Sequence, residues 1–263
     1  MIVIPMAGLS RRFAEAGYDR PKYMLDLHGR TLFAHAVDSF RDRFAQEPFL
    51  FITGEVPGVR DFLDRELAAL GVAQARTVVL PRPTLGQADT VRLGLQDAGV
   101  DGDTPLTVFN IDTFRPGFRY PEADWWPGAD GYLEVMQGDD PGFSFVLPLD
   151  GSRVGRTAEK VVISSLASTG LYWFRRARDF LDALQDDPGA AQAKGELYVA
   201  PLYNALIARG LDIRYHQVDP ADVIFCGVPA QYDALLRQEP GAGRPRPLTR
   251  PAPDGGSVTA RTG

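Results

Sequence analysis

The chain has little of what builds disulfide frameworks or zinc clusters. One cysteine, Cys226, stands in 263 residues, so neither an intrachain disulfide nor a cysteine zinc cluster can form. The three histidines, His28, His35 and His216, are scattered without metal-ligand spacing. There is no basic run. Lys plus Arg number 28 against 34 Asp plus Glu, a net charge of −6, which argues against a general nucleic-acid or anionic-membrane binder. Long hydrophobic runs are missing too: the opening Met1-Ile2-Val3-Ile4-Pro5-Met6 is too short for a signal peptide or a membrane span. The expectation is a cytoplasmic chain with no nucleic-acid or membrane partner. Internal repeats are also absent.

What is present is globular. Hydrophobic residues make up 44%, enough for a sizeable core, and the length fits one or two domains. The last 25 residues, Glu239 to Gly263, hold five Pro and five Gly but almost no large apolar residue. Such a segment cannot bury enough surface to offset its ordering entropy, so 239–263 reads as a flexible tail after a folded unit of residues 1–238. In that unit, apolar runs Ile2–Met6, Phe49–Thr53, Thr77–Leu80 and Leu106–Ile111 alternate with helical patterns. The helices are marked by Leu32–Phe44, Val59–Leu70 and Gln87–Gln96. This alternation predicts right-handed crossovers and a largely parallel sheet, helices on both faces. The second half is more mixed, with strands expected at Gly131–Met136, Phe143–Leu147, Ala167–Phe174, Ile213–Gln217 and Val223–Cys226. Helices are expected near Ala177–Leu184 and Tyr198–Ala208.

Three features fall at strand ends, where such a sheet places ligands. After the first strand comes Ala7-Gly8-Leu9-Ser10-Arg11-Arg12-Phe13, then Pro21-Lys22. Small residues let backbone N–H groups approach a polyphosphate, and Arg12 and Lys22 can neutralise it. The loop is neither a P-loop nor the GxGxxG fingerprint, and an ordinary strand–helix turn is the other reading of Gly8 and Ser10. Asn110-Ile111-Asp112 brings a carboxylate to the same edge, suited to Mg²⁺ shared with substrate phosphates. Pro83-Thr84-Leu85-Gly86-Gln87-Ala88 offers a loop that can lie against a flat base.

On these residues the sequence resembles the sugar-phosphate nucleotidylyltransferases over about residues 1 to 237. Ala7, Gly8, Arg12, Phe13, Pro21 and Lys22 match the family's opening loop, and Asp112 its metal aspartate. Glu159-Lys160, followed by Thr169-Gly170, matches its acceptor side. The loop Ala7 to Phe13 and Gly86-Gln87-Ala88 look like cytidylyltransferases of bacterial capsule and phosphonate pathways.

The resemblance implies a Rossmann-like (GT-A-like), mostly parallel mixed α/β sheet, with a nucleotide-binding first half and an acceptor-binding second half. It implies Mg²⁺-dependent transfer of a nucleotidyl group, from CTP first, to a small phosphate- or phosphonate-bearing acceptor. Arg12 and Lys22 would be catalytic. Met6, Ala7, Gly8, Leu9, Ser10, Arg11, Gly86, Gln87, Ala88 and Asn110 would hold the nucleotide. Glu159, Lys160, Gly170 and Glu196 would hold the acceptor, helped by the basic residues Arg153, Arg156 and Lys194.

Two departures stand out. Ser10 and Arg11 replace the family's Gly and Thr. Phe225 stands where a second metal aspartate is common, and Asp222, three residues earlier, substitutes only if the strand end is rearranged. Other readings stay open: a surface ion pair for Glu159-Lys160, a helix N-terminal acid for Glu196, and core packing or a homodimer contact for Trp125-Trp126. The rival functions are a sugar-1-phosphate transferase using UTP or dTTP, a GT-A-like glycosyltransferase and an inactive nucleotide-sugar sensor.

Overall fold

The computed structural model of the protein describes residues 1–186, 192–193 and 195–238. Lys194 and the expected tail, 239–263, lie outside the described residues. Among the described residues nine strands form one sheet: β1 (Ile2–Pro5), β2 (Phe49–Gly54), β3 (Ala75–Leu80), β4 (Leu106–Phe109), β5 (Gly131–Gln137), β6 (Ser144–Pro148), β7 (Val154–Glu159), β8 (Leu166–Phe174) and β9 (Ile213–Gln217). Their order is β7-β6-β8-β4-β1-β2-β3, with β5 on β8 and β9 on β5. The half built from β4, β1, β2 and β3 is parallel. Beyond it β8 runs antiparallel to β4, β5 and β6, and β6 to β7. The sheet is thus mixed, its parallel half drawn from the first half of the chain.

Period-two alternation sets the two faces. Ile2, Ile4, Phe49 and Phe51 point to one core, and Val3, Leu50 and Ile52 to the other. On the first face lie α2 (Leu32–Val37), α3 (Val59–Leu70) and α7 (Pro229–Leu236), burying Phe33, Leu63 and Leu235 among others. On the second lie α4 (Gln87–Asp97), α5 (Ala177–Asp186) and α6 (Leu202–Ala208), burying Val91, Phe180 and Tyr203. Each fully buried side chain of this size contributes roughly 1.5–3 kcal/mol. The helix expected through Phe44 ends at Val37 and continues as a 3₁₀ turn, Asp38–Arg43, kinked at Phe40 (φ −103°, ψ 23°). Ser39 is used elsewhere there, its Oγ accepting from the Arg115 N–H at 2.9 Å. Trp126 packs 4.5 Å from Trp173 and beside Tyr120, so the tryptophan pair belongs to an aromatic core contact. No helix among the described residues is long and apolar enough to cross a membrane.

Candidate active site

The carboxyl ends of β1 and β4 open into a cleft of about 540 Å³, within the roughly 300–1,000 Å³ of small-molecule sites. Three cations (Arg11, Arg12, Lys22) face two carboxylates (Asp112, Glu196) in its lining, although the whole chain carries −6. This local reversal of charge suits an anionic ligand.

The floor comes from the loop after β1. Met6 is fixed by its N–H to the Ile52 carbonyl at 2.7 Å, and from there Ala7 to Ser10 run along the cleft. Ser10 adopts the left-handed conformation (φ 49°) and starts the short helix α1 (Arg11–Glu15). Its Oγ accepts from the Lys22 N–H at 3.3 Å, tying the loop to the Pro21-Lys22 turn. Lys22 Nζ then lies 2.6 Å from Asp112 Oδ2. Burial opposes ionisation of Asp112, but the Lys22 charge and hydrogen bond prevail and hold its carboxyl below the ordinary value of 3.8. Asp112 is further fixed by its carbonyl, which accepts from the Cys226 N–H at 2.8 Å. Arg12 is exposed at the mouth, and its charge also acts on Asp112.

The opposite wall rests on two glycines. Gly170 (φ 90°) sits where β8 shifts register, between Ser168 and Tyr172, and its carbonyl accepts from the Asn110 N–H at 3.1 Å. A Cβ there would come within 2.4 Å of Asn110 Nδ2, so Gly170 makes room for Asn110, whose Oδ1 accepts from Gln87 Nε2. Gly86 (φ 132°) precedes α4 with the backbone of Leu197 against it, where a Cβ would meet Leu197 N at 2.5 Å. That close approach, with the Leu197 N–H bonded to the Leu85 carbonyl at 2.7 Å, brings Glu196 and Tyr198 to the cleft. The Tyr198 hydroxyl donates to Glu196 at 2.7 Å and accepts from Lys160 Nζ. Burial and the Glu196 bond push the phenol well above its usual range. Gly86→Ala is expected to push this wall outward and to cost roughly 1–3 kcal/mol of stability, since the backbone of Leu197 and the positive φ both leave no room for a Cβ. Denaturant unfolding of the variant checks it.

Of the residues anticipated from sequence, Met6, Ala7, Gly8, Leu9, Ser10, Arg11, Arg12, Lys22, Gly86, Gln87, Asn110, Asp112 and Glu196 line the cleft. Others are placed behind or away from it. Ala88 is fully buried in the core under α4, so it has no surface for a nucleotide. Gly170 abuts Asn110 rather than the cavity. Glu159 is a wall support: Ser144 Oγ donates to its carboxylate, and burial raises its pKa against the pull of that bond and of Lys160. Lys160 reaches the cleft through Tyr198, with Nζ 3.9 Å from that ring's centroid. Asp222 is corrected as a metal ligand. It is exposed at the end of the 3₁₀ turn Pro220–Asp222, outside the cleft lining, and its carbonyl accepts from Arg115. Phe225 packs on Phe143, their ring centroids 4.9 Å apart. Arg156 lies exposed on the edge strand β7 and Arg153 bridges to Arg214, away from the cavity. Pro83 and Thr84, from the loop expected to lie against a base, also line the cleft, and Tyr23, Thr90 and Tyr198 line it without having been anticipated. The thiol of Cys226 is pushed up to about 12 by burial and by the Asp112 charge, which leaves it unreactive.

No family model matches the chain, and no curated protein matches it. Solved structures do. The nucleoside-diphosphate-sugar pyrophosphorylase from Vibrio cholerae RC9 is 50% identical, covering 90% of this chain and 100% of its own, with a TM-score of 0.85. A glucose-1-phosphate thymidylyltransferase from Bacillus anthracis, itself described as putative, shares 20% identity over 90% of this chain and 95% of its own (TM-score 0.68). The inositol-1-phosphate CTP transferase from T. maritima shares 17% over 88% and 93% (TM-score 0.69). These last two show the common fold. Identity at half of the aligned positions over nine-tenths of the chain goes further: the protein belongs to the sugar-phosphate nucleotidylyltransferase family.

Proposed function

We propose that the protein transfers a nucleotidyl group from a nucleoside triphosphate to a sugar 1-phosphate, releasing pyrophosphate. The observation that carries this reading is the Lys22–Asp112 pair, 2.6 Å apart and facing the small-residue loop across one cleft. A phosphate oxygen of the acceptor attacks the α-phosphorus. The new P–O bond forms as the α–β bridging P–O bond breaks, and pyrophosphate departs with the electron pair. The acceptor oxyanion is already a nucleophile, so the chain supplies positioning and charge rather than a base.

In this reading the loop Ala7 to Ser10 places backbone N–H groups beside the triphosphate. Arg12 neutralises the departing pyrophosphate, and Lys22 bridges the α-phosphate and the acceptor phosphate. An ionised Asp112 in a cleft for phosphates fits Mg²⁺, which is usually held by one or two carboxylates plus substrate phosphates. No group of three or more His, Cys, Asp or Glu able to hold a metal occurs among the described residues, so Asp112 would be its protein ligand. When bound, the ion would neutralise phosphate charge. The carboxylate and phenol of Glu196 and Tyr198 suit an acceptor bearing hydroxyls, which favours a sugar phosphate over a small phosphonate. The Vibrio cholerae relative, described as a nucleoside-diphosphate-sugar pyrophosphorylase, supports the same choice. CTP is proposed as the nucleotide on the resemblance of the loop Ala7 to Phe13 and of the segment after Pro83, of which Gly86 and Gln87 line the cleft.

Four nucleoside triphosphates set against sugar 1-phosphates and small phosphonates, read by pyrophosphate release, test these points. CTP with a sugar 1-phosphate is expected to give the highest kcat/KM. A better UTP or dTTP overturns the base, a better phosphonate overturns the acceptor, and no release from any pair overturns the reaction.

A further inference from the structure

The last helix among the described residues, α7, contributes no residue to the cleft lining, yet it is bonded to the Lys22 segment on both sides of that lysine. Upstream, the Tyr18 hydroxyl donates to Asp233 Oδ1 at 2.6 Å. Downstream, the Tyr232 hydroxyl donates to the Asp26 carbonyl at 2.5 Å, and His28 Nε2 lies 2.9 Å from the Leu235 carbonyl. The rings of Phe13, Tyr18 and Tyr232 meet with centroids 5.4 to 6.2 Å apart. Between Phe13 and Lys22 the chain's other holds are local, the Ala16, Gly17 and Tyr18 N–H groups bonding to the Arg12, Ala14 and Phe13 carbonyls and the Lys22 N–H to Ser10 Oγ. From Ala14 to Arg20 every residue except Tyr18 is exposed. The Asp233 bond is the largest reason the Tyr18 phenol is raised to about 12.

We propose that α7 is a clamp that positions Lys22, with Tyr18 and Asp233 as its positioning residues. Neither touches the cleft; both act by fixing the loop that spaces Arg12 from Lys22. The proposal rests on the reading of Lys22 as the phosphate-bridging lysine. Placement matters because a misplacement of about 1 Å can cost on the order of 10²-fold in rate.

The test uses Tyr18→Phe, which keeps the ring and removes one hydroxyl, with Asp233→Ala and Asp233→Asn in the full chain. Tyr18→Phe and Asp233→Ala are expected to lower kcat about fivefold or more, with KM for the nucleotide changed less than about twofold. Asp233→Asn keeps an acceptor oxygen and should retain near-normal kcat. The Tyr18→Phe/Asp233→Ala double variant should be no slower than the slower single variant, since both remove one bond. Amide hydrogen exchange over residues 14–28 reads the clamp without turnover, and it should speed up about tenfold or more in Tyr18→Phe. Unchanged exchange overturns the clamp whatever the kinetics show. Faster exchange with unchanged kcat overturns its role in placing Lys22, as do additive losses in the double variant. If the wild type releases no pyrophosphate, the proposed reaction falls, and the exchange measurement decides the clamp by itself.

Discussion

Lys22→Ala is expected to lower kcat at least ~10²-fold, the scale of removing one donor from a preorganised anionic site. Arg12→Ala should lose as much. Lys22 is held by its backbone bond to Ser10 and by Asp112 at 2.6 Å, so its ammonium is aimed before any ligand arrives. In the proposed reaction this charge acts where phosphate charge shifts, so the loss belongs in kcat more than in KM. Lys22→Arg should not rescue it. A planar guanidinium fork cannot occupy the place of a compact ammonium wedged against one carboxylate oxygen. Steady-state kinetics on folded variants check this, and near-normal kcat in either alanine variant contradicts the roles given to the loop of residues 7 to 22.

Asp112→Asn is the second large effect. The variant is expected to stay folded, because its carbonyl bond to Cys226 is main-chain, and to lose at least ~10²-fold in kcat in Mg²⁺. Full activity would remove Asp112 from the metal site. Asp222→Asn, changing an exposed carboxylate outside the cleft, is the control and should keep activity. The same substitution carries a stability signature. The Asp112 carboxyl is held below 3.8 in the folded chain, so the stability it contributes is present above about pH 4. That contribution is lost as pH falls through the depressed native value. Asp112→Asn should therefore make the acid limb of the Tm–pH curve shallower and lower Tm at neutral pH, where the ionised carboxylate contributes.

The parallel half of the fold was legible because β1, β2 and β4 are short apolar runs ended by turn residues. Their two-sided burial leaves no polar alternation to confuse the reading. The cleft residues that follow β1 were legible for a related reason: a loop joining a buried strand to a helix must lie at the sheet's carboxyl edge. The antiparallel half was harder. β7, Val-Gly-Arg-Thr-Ala-Glu, buries only Val154 and Thr157 and carries no apolar pattern. It is held by its ladder to β6 and by Asn204, whose side chain bonds both the N–H and the carbonyl of Thr157. Tyr198 had no motif; it reaches the cleft because Gly86 lets the Leu197 backbone pass, a contact between residues over a hundred positions apart. Asp222 misled because nearness in sequence to Phe225 says nothing about direction. Asp219, whose side chain accepts from the Ala221 N–H, caps the turn that leaves Asp222 exposed, and the Asp219-Pro220 pair was the available signal. α7 starts with Pro229, which suits a first turn, but buries only Tyr232 and Leu235, too few for a helical stripe.

The central claim is that bond cleavage falls between the α- and β-phosphorus of the triphosphate. Phosphorus NMR of the complete reaction, wild-type protein with Mg²⁺, a nucleoside triphosphate and a sugar 1-phosphate, measures this directly. The account predicts inorganic pyrophosphate and a nucleoside-diphosphate sugar appearing in equal amounts, with both signals absent from the Lys22→Ala sample over the same time. Nucleoside diphosphate or orthophosphate as the product, or a triphosphate that binds and is never cleaved, contradicts it.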